Sequence, residues 1–396
     1  MINLELEKLG QTLNRDLSYL FILNIAFGVS MQLINPLFPL FLEQIGADST
    51  QNAIVISIGS FIATALMLPS GLLIDRIGKK KLLISSAIVN SLSIFLFAFT
   101  SSWMRVTPIY ILFSAAGALF VPTRMAMITE NSDPTKRGTI FGLMNMAWPM
   151  AGIVSPLISG YLVETTGWKN VFYFGAAINT ISLIPGLRIK TQSKDKTKTR
   201  NPNFKDIFKP DIFPTLFRFF VFHLLMTTAM GGVNLIIPLY LSSQYELTPY
   251  SIGWFFTAQS ILNLITQIPA GRLADKYGRK RSILTCIVLI PALYASWHFV
   301  EDWRILLVLN SFLFGLWSMT WPGTLALISE SVPNDMIGAA FGIRMTGVRL
   351  GFTLGPLIGS YFYSKYYSTS PFLVAAVIAL TGVISAFTLQ ERAYEK

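Results

Sequence analysis

Three arginines and one histidine stand inside runs of otherwise apolar residues, where an ionised group is expensive to keep. Arg349 falls near the centre of one run, Arg344 lies nearer its basic end, and Arg124 sits in the corresponding half of an earlier run. A central arginine costs about 2.5–3.5 kcal/mol on membrane-insertion scales, so a guanidinium at that depth marks a functional site by default. Its forked donors grip carboxylate or phosphate, which gives Arg349 either an anionic ligand or a gating contact. No Asp or Glu lies mid-run to neutralise these charges. Arg124 and Arg344 are close enough to run ends to snorkel, or to meet Asp75 and Glu130. His223 is the one histidine well inside a run, open to a role in proton coupling or in packing. His298 lies near the end of its run and reads as interfacial. Gln259, Asn263 and Gln267 recur at helical spacing and form one polar stripe. Amides cannot face lipid cheaply, so this stripe faces a cavity or another helix.

The elements that hold these residues follow from composition. The chain has 396 residues, 53% hydrophobic and only 13% charged, against about a quarter charged in soluble domains. Charges are bunched, and between the bunches lie apolar runs of about 20 residues, enough for a helix to cross hydrocarbon. Twelve spans result: 18–42, 51–74, 82–101, 106–129, 138–163, 170–189, 214–242, 250–274, 282–300, 304–330, 337–362 and 370–389. With the N-terminus in the cytoplasm, Arg105, Lys169, Arg304 and Lys365 fall outside and Arg124, Arg344 and Arg349 fall within spans. Every other Lys and Arg then lies in a cytoplasmic segment or, as Arg188, Arg218 and Arg272 do, at the cytoplasmic end of a span. That asymmetry fixes orientation, with both termini in the cytoplasm. The net charge of +11 therefore reports topology and contact with anionic membrane lipid, not a nucleic-acid partner. Cys286 is the single cysteine, so no disulfide forms within the chain. Residues 1–17 are polar and no small-residue cleavage site follows the first run, which reads as a retained span.

The chain repeats itself. Residues 69–81, PSGLLIDRIGKKK, return as PAGRLADKYGRKR at 269–281. Phe141-Gly142 returns as Phe341-Gly342, Pro156-Leu157-Ile158 as Pro356-Leu357-Ile358, Pro122 as Pro322 and Glu130 as Glu330. With a one-residue slip, Asn35 and Pro39 correspond to Asn234 and Pro238. The expected architecture is an all-α membrane protein of twelve transmembrane helices in two parallel, pseudo-symmetric six-helix bundles. Residues 1–189 and 214–396 form the bundles, joined by a basic cytoplasmic linker at 190–213. Parallel repeats of this kind place a solute site near the midplane between them.

The repeated segment, G-x-L-x-D-x-x-G-[KR]-K-[KR], resembles the loop signature of the major facilitator superfamily. It supplies Gly71, Asp75, Gly78, Lys79 and Lys80 in one half, and Gly271, Asp275, Gly278, Arg279 and Lys280 in the other. Gly71 and Gly271 suit close helix approach, and Gly78 and Gly278 suit positive φ in a tight turn. The resemblance implies that Glu130 and Glu330 join the loop cations in a charge cluster that locks one conformation. GIVSPLISG (152–160) resembles the family's antiporter signature, with Ser155 where glycine is expected, and GFTLGPLIGS (351–360) carries the full pattern in the less diagnostic half. In this family spans one, four, seven and ten line the cavity. That gives Asn24, Gln32, Asn35, Arg124, His223, Asn234, Asn310, Trp317 and Trp321 as lining, with Gln259, Asn263 and Arg349 as further solute-binding candidates. Breaks at Asn35-Pro36, Pro39, Gly231-Gly232 and Pro238 are expected to weaken spans one and seven.

The expected function is secondary active transport of a small organic solute across the cytoplasmic (inner) membrane by alternating access. Efflux or antiport of an amphipathic compound leads, and protons are the candidate coupling ion. The acidic residue that drug–proton antiporters of the family often carry in span one or four is missing, which weakens that reading. The alternative is uptake or exchange of an organic anion held by intramembrane arginine; a non-transporting solute sensor is more remote. No phosphate-binding loop, metal cluster or nucleophile–base pair supports an enzyme or a cofactor, and carriers of this family usually act as monomers.

Overall fold

A computed structural model describes residues 14–132, 137–189, 212–333 and 336–390. Within hydrocarbon a backbone must satisfy its own N–H and C=O groups, which restricts an apolar run to helix. The described residues accordingly form fourteen helices: α1 (Arg15–Ile34), α2 (Phe38–Gln44), α3 (Ser49–Ile77), α4 (Lys79–Phe97), α5 (Trp103–Asn131), α6 (Arg137–Thr166), α7 (Trp168–Arg188), α8 (Phe213–Tyr245), α9 (Pro249–Tyr277), α10 (Arg279–Ile287), α11 (Ile290–Phe299), α12 (Trp303–Glu330), α13 (Ile337–Lys365) and α14 (Ser370–Phe387). Ten crossings are long and apolar enough to span a membrane by themselves, α10 and α11 counting as one. The remaining two long helices, α9 and α13, each run for 29 residues. They carry the amide stripe and the Arg344–Arg349 pair, the polar residues that lower their mean hydropathy.

The first span is interrupted after Ile34, and α2 restarts with Pro39 in its first turn. The ninth breaks at Val288–Leu289, just before Pro291. Neither Gly231-Gly232 nor Pro238 breaks the seventh span, contrary to expectation. Helix α8 is continuous over 33 residues. The glycines there serve packing instead. Gly347, Gly351, Gly355 and Gly359 recur every fourth residue on α13 and lie against Phe220, Thr227, Thr228 and Gly232 of α8. A Cβ built at Gly347 would sit 2.6 Å from the Phe220 carbonyl oxygen, and one at Gly232 would sit 2.9 Å from that of Gly355. Small residues permit such backbone contact, which supplies dispersion where no hydrophobic effect drives helices together.

The helices form two compact units. Unit one comprises residues up to 46, 62–195 and 248–253; unit two comprises 47–61, 196–247 and 254–396. Two short stretches, 47–61 of α3 and 248–253 of α9, thus group with the unit opposite to their repeat. The expected linker falls almost wholly at 190–211, outside the described residues. In unit one, Phe27 stacks on Phe120 at 3.8 Å between ring centroids, and Phe38, Tyr110, Phe97 and Phe172 form a second aromatic cluster. In unit two, Trp297 stacks on Phe372 at 4.5 Å, with Tyr240 edge-on to both.

Candidate functional site

The repeated loops look alike in both units. Gly78 and Gly278 take φ of +91° and +89°, the left-handed geometry that favours glycine. Lys80 Nζ donates to the Leu187 carbonyl at 2.7 Å and Lys280 Nζ to the Phe387 carbonyl at 2.8 Å. Each lysine thereby closes the C-terminal end of its unit's last helix, where carbonyls lack partners and the helix dipole favours a cation. Lys79 Nζ pairs with Glu130 Oε2 at 2.7 Å, and Arg279 Nε with Glu330 Oε1 at 3.4 Å. Arg279 also pairs with Asp275, and Asp275 and Asp75 are both exposed. Gly71 and Gly271 depart from expectation: a Cβ at either would meet nothing within 4 Å, so close packing does not explain them here.

The intramembrane arginines do not go where charge alone would send them. Arg124 and Arg344 are 3% and 2% exposed; neither snorkels, and neither pairs with a carboxylate among the described residues. Arg124 Nη1 donates to Asn24 Oδ1 at 2.8 Å, and Nη2 to Asn145 Oδ1 at 3.1 Å. Asn24, fully buried, spends its amide hydrogens on the Met144 carbonyl at 2.7 Å, which aims its oxygen at the guanidinium. In unit two Arg344 Nε donates to His223 Nε2 at 2.9 Å, and Nη1 lies 3.6 Å from Met345 Sδ. Its guanidinium carbon stands 4.6 Å from the ring centre of Trp321, a cation–π contact strengthened by burial. Both cations are thus held by neutral dipoles, lone pairs and a π face.

The repeat register makes sense of these partners. The one-residue slip that pairs Asn35 with Asn234 also pairs Asn24 with His223, and each accepts from its own unit's arginine. The register that pairs Phe141 with Phe341 pairs Asn145 with Met345, which again touch the two arginines. The arginines themselves come from non-equivalent helices, α5 in unit one and α13 in unit two. Sequence reasoning missed Asn145 and Met345, although the repeat register pointed at both.

The other candidates scatter. Arg349 is only partly buried and makes no side-chain hydrogen bond to a described residue; its carbonyl accepts from Thr353. Asn310 is buried with neither amide atom partnered among the described residues, and Asn234 Oδ1 and Gln259 Oε1 are likewise buried without a partner. Gln32 is half-buried and Asn35 is exposed at the break after α1. Trp317 is buried, and Asn263 offers its carbonyl to Ser318 on α12. The side chain of Gln267 lies outside the described set. His298 is exposed and bonded to Thr369 at 2.8 Å, as its interfacial position suggests. Along the antiporter-like segment of α6, Gly160 and Pro156 lie against residues 249–253 in the first turn of α9. A Cβ at Gly253 would sit 2.7 Å from the Pro156 carbonyl oxygen, and Tyr250 N donates to Glu164 Oε1 at 2.7 Å.

Comparison with known proteins agrees with this geometry. The family model of the Major Facilitator Superfamily matches residues 20–231 and again 219–396, one match for each repeat. The multidrug resistance protein MdtG of Yersinia enterocolitica is 24% identical over 92% of this chain and 90% of its own. The multi-drug resistance efflux pump PmrA of Streptococcus pneumoniae is 27% identical over 92% of this chain and 94% of its own. A crystal structure titled as a bacterial homologue of the human lysosomal transporter Spinster superposes with a TM-score of 0.80 at 12% identity, covering 94% of this chain and 96% of that one. With a repeated loop signature, twelve crossings and two family matches that together cover nearly the whole sequence, this multi-pass membrane protein belongs to the Major Facilitator Superfamily.

Proposed function

We propose that the chain exports amphipathic small molecules across the cytoplasmic membrane by alternating access, exchanging them for protons, with both termini in the cytoplasm. The observation that carries this reading is its likeness, along nearly the full length of both chains, to proteins named for multidrug resistance and efflux. The loop pairs Lys79–Glu130 and Arg279–Glu330 are assigned to holding one conformation of the transport cycle. The test is uptake of ethidium, a fluorescent lipophilic cation, into proteoliposomes under an imposed pH gradient. Gradient-dependent accumulation is expected; its absence across a panel of lipophilic cations and neutrals would overturn the reading.

One observation favours a second reading. Arg349 has no acceptor among the described side chains, and a solute carboxylate or phosphate would supply one. On that reading, organic anions raise the thermal stability of the purified protein by mass action, and Arg349→Gln abolishes the effect. Stabilisation by cations alone would leave Arg349 a gating residue.

A further inference from the structure

His223 is buried at 1% exposure in the N-terminal third of α8, and both ring nitrogens are engaged. Nδ1 lies 2.8 Å from the Phe219 carbonyl oxygen. A carbonyl can only accept, so Nδ1 carries the hydrogen. Nε2 lies 2.9 Å from Arg344 Nε, which can only donate. The two partners together fix one neutral tautomer, with the Nε2 lone pair pointing at the guanidinium. We propose that this lone pair is the proton-binding site of the carrier, for which Arg344 and the coupling proton compete.

The competition follows from the inventory of donors and acceptors. An imidazolium has two N–H donors and no acceptor. When a proton from water binds Nε2, the new N–H bond occupies the position that Arg344 Nε–H uses, and that hydrogen bond is lost. Two cations would then face each other in a poorly solvated interior, which drives the guanidinium away from the ring. Among the described residues, no other ionisable group bonds to the ring to blunt this effect. Helix α13 presents Arg344 to it and carries Arg349, Tyr361, Tyr363 and Lys365 further along. Helix α12 has only Arg304 and Glu330, near its two ends, and α14 has no titratable residue from Ser370 to Phe387. Helix α8 itself adds Arg218, Tyr240 and Tyr245. Arg344 keeps two neutral contacts, the Trp321 face and Met345 Sδ, along which it can shift. The buried pair in unit one, Asn24 and Arg124, has the same donor-to-acceptor form but an amide that does not titrate. Of these two pairs, the one in unit two is the one that can respond to protons. A buried imidazole here fills the part that an intramembrane carboxylate would otherwise play.

This assignment rests on the reading of the chain as a proton-coupled carrier, but its first test needs no solute. The chain has two histidines, so His298→Asn leaves His223 as the sole imidazole. Full-length protein without a histidine tag, labelled with nitrogen-15 at His and Arg and placed in lipid nanodiscs, is followed by NMR from about pH 8 to about pH 5, the range in which imidazoles ordinarily titrate. The expected result is an Nδ1–H tautomer at high pH, an imidazolium signal on acidification, and loss of the hydrogen-bonded Arg344 Nε–H resonance as that signal appears. An imidazole that stays neutral throughout, or one that charges while the Arg344 resonance is unchanged, overturns the proposal. In proteoliposomes, His223→Asn is expected to lose the dependence of ethidium accumulation on the pH gradient; accumulation that still follows the gradient also overturns it. If the parent protein moves no ethidium while the imidazole titrates as described, the solute class is wrong and the proton site stands.

Discussion

At the scale of single residues, the decisive fact is that buried arginines here are paired with neutral partners. Removing one acceptor should therefore hurt more than removing the whole arrangement, because an orphaned guanidinium keeps its desolvation penalty. Asn24→Ala takes the 2.8 Å acceptor from Arg124 and frees the Met144 carbonyl. It should cost about 2 kcal/mol, a typical value for a hydrogen bond to a charged group. The double variant Asn24→Leu/Arg124→Met should recover most of that loss, and thermal unfolding of both proteins in detergent makes the comparison. The loop ion pairs are weaker contributors. Lys79–Glu130 is short, with a side-chain exposure of 11% at the glutamate, whereas Glu330 is 46% exposed at 3.4 Å from Arg279. Glu130→Gln should destabilise by up to about 1 kcal/mol and Glu330→Gln by less, since exposed pairs are solvated and screened. An equal effect of the two would contradict the geometry.

At the scale of elements, the glycine ladder of α13 against α8 is the tightest helix pairing in unit two. Gly359 lies so close to α8 that a Cβ there would sit 2.8 Å from Gly232 Cα. Gly359→Val should therefore cost about 1–3 kcal/mol or prevent correct folding, as overpacking does. Gly71→Val, in the loop signature on α3, meets open space and should change stability by no more than about 0.5 kcal/mol. The contrast matters because both glycines belong to segments that carry a family signature. If Gly71→Val leaves the protein folded yet slows transport, the missing side chain at Gly71 serves a step of the cycle. Fluorescence-detected size-exclusion chromatography with thermal ramping reads the folding half of this prediction. The same ladder packs α8 on α13 at Gly231 and Gly232, where the helix stays unbroken.

At the scale of the whole molecule, topology is the testable quantity. In a Cys286→Ser background, Asp48→Cys and Tyr367→Cys should react with a membrane-impermeant maleimide on intact cells, and Lys81→Cys should react only after permeabilisation. Labelling with the opposite sidedness would overturn the orientation drawn from the Lys and Arg distribution. The sequence by itself determined the helical crossings almost completely. Apolar run length, charge bunching and a repeat visible in 69–81 and 269–281 suffice to specify helical crossings, because the bilayer imposes length and internal hydrogen bonding on any segment that enters it. It also located the loop turns, since glycine takes the positive φ that such a turn needs without steric cost, as Gly78 and Gly278 do. What only the tertiary structure decided is the partnership of the buried polar groups. That Arg344 meets His223 and Trp321, and that Arg124 meets Asn24 and Asn145, depends on helix rotation and rotamer, and charge complementarity pointed instead to Asp75 and Glu130. The physical reason is distance dependence: a period and a length survive in one dimension, whereas a 2.9 Å contact between residues more than a hundred positions apart exists only after packing has chosen which faces meet.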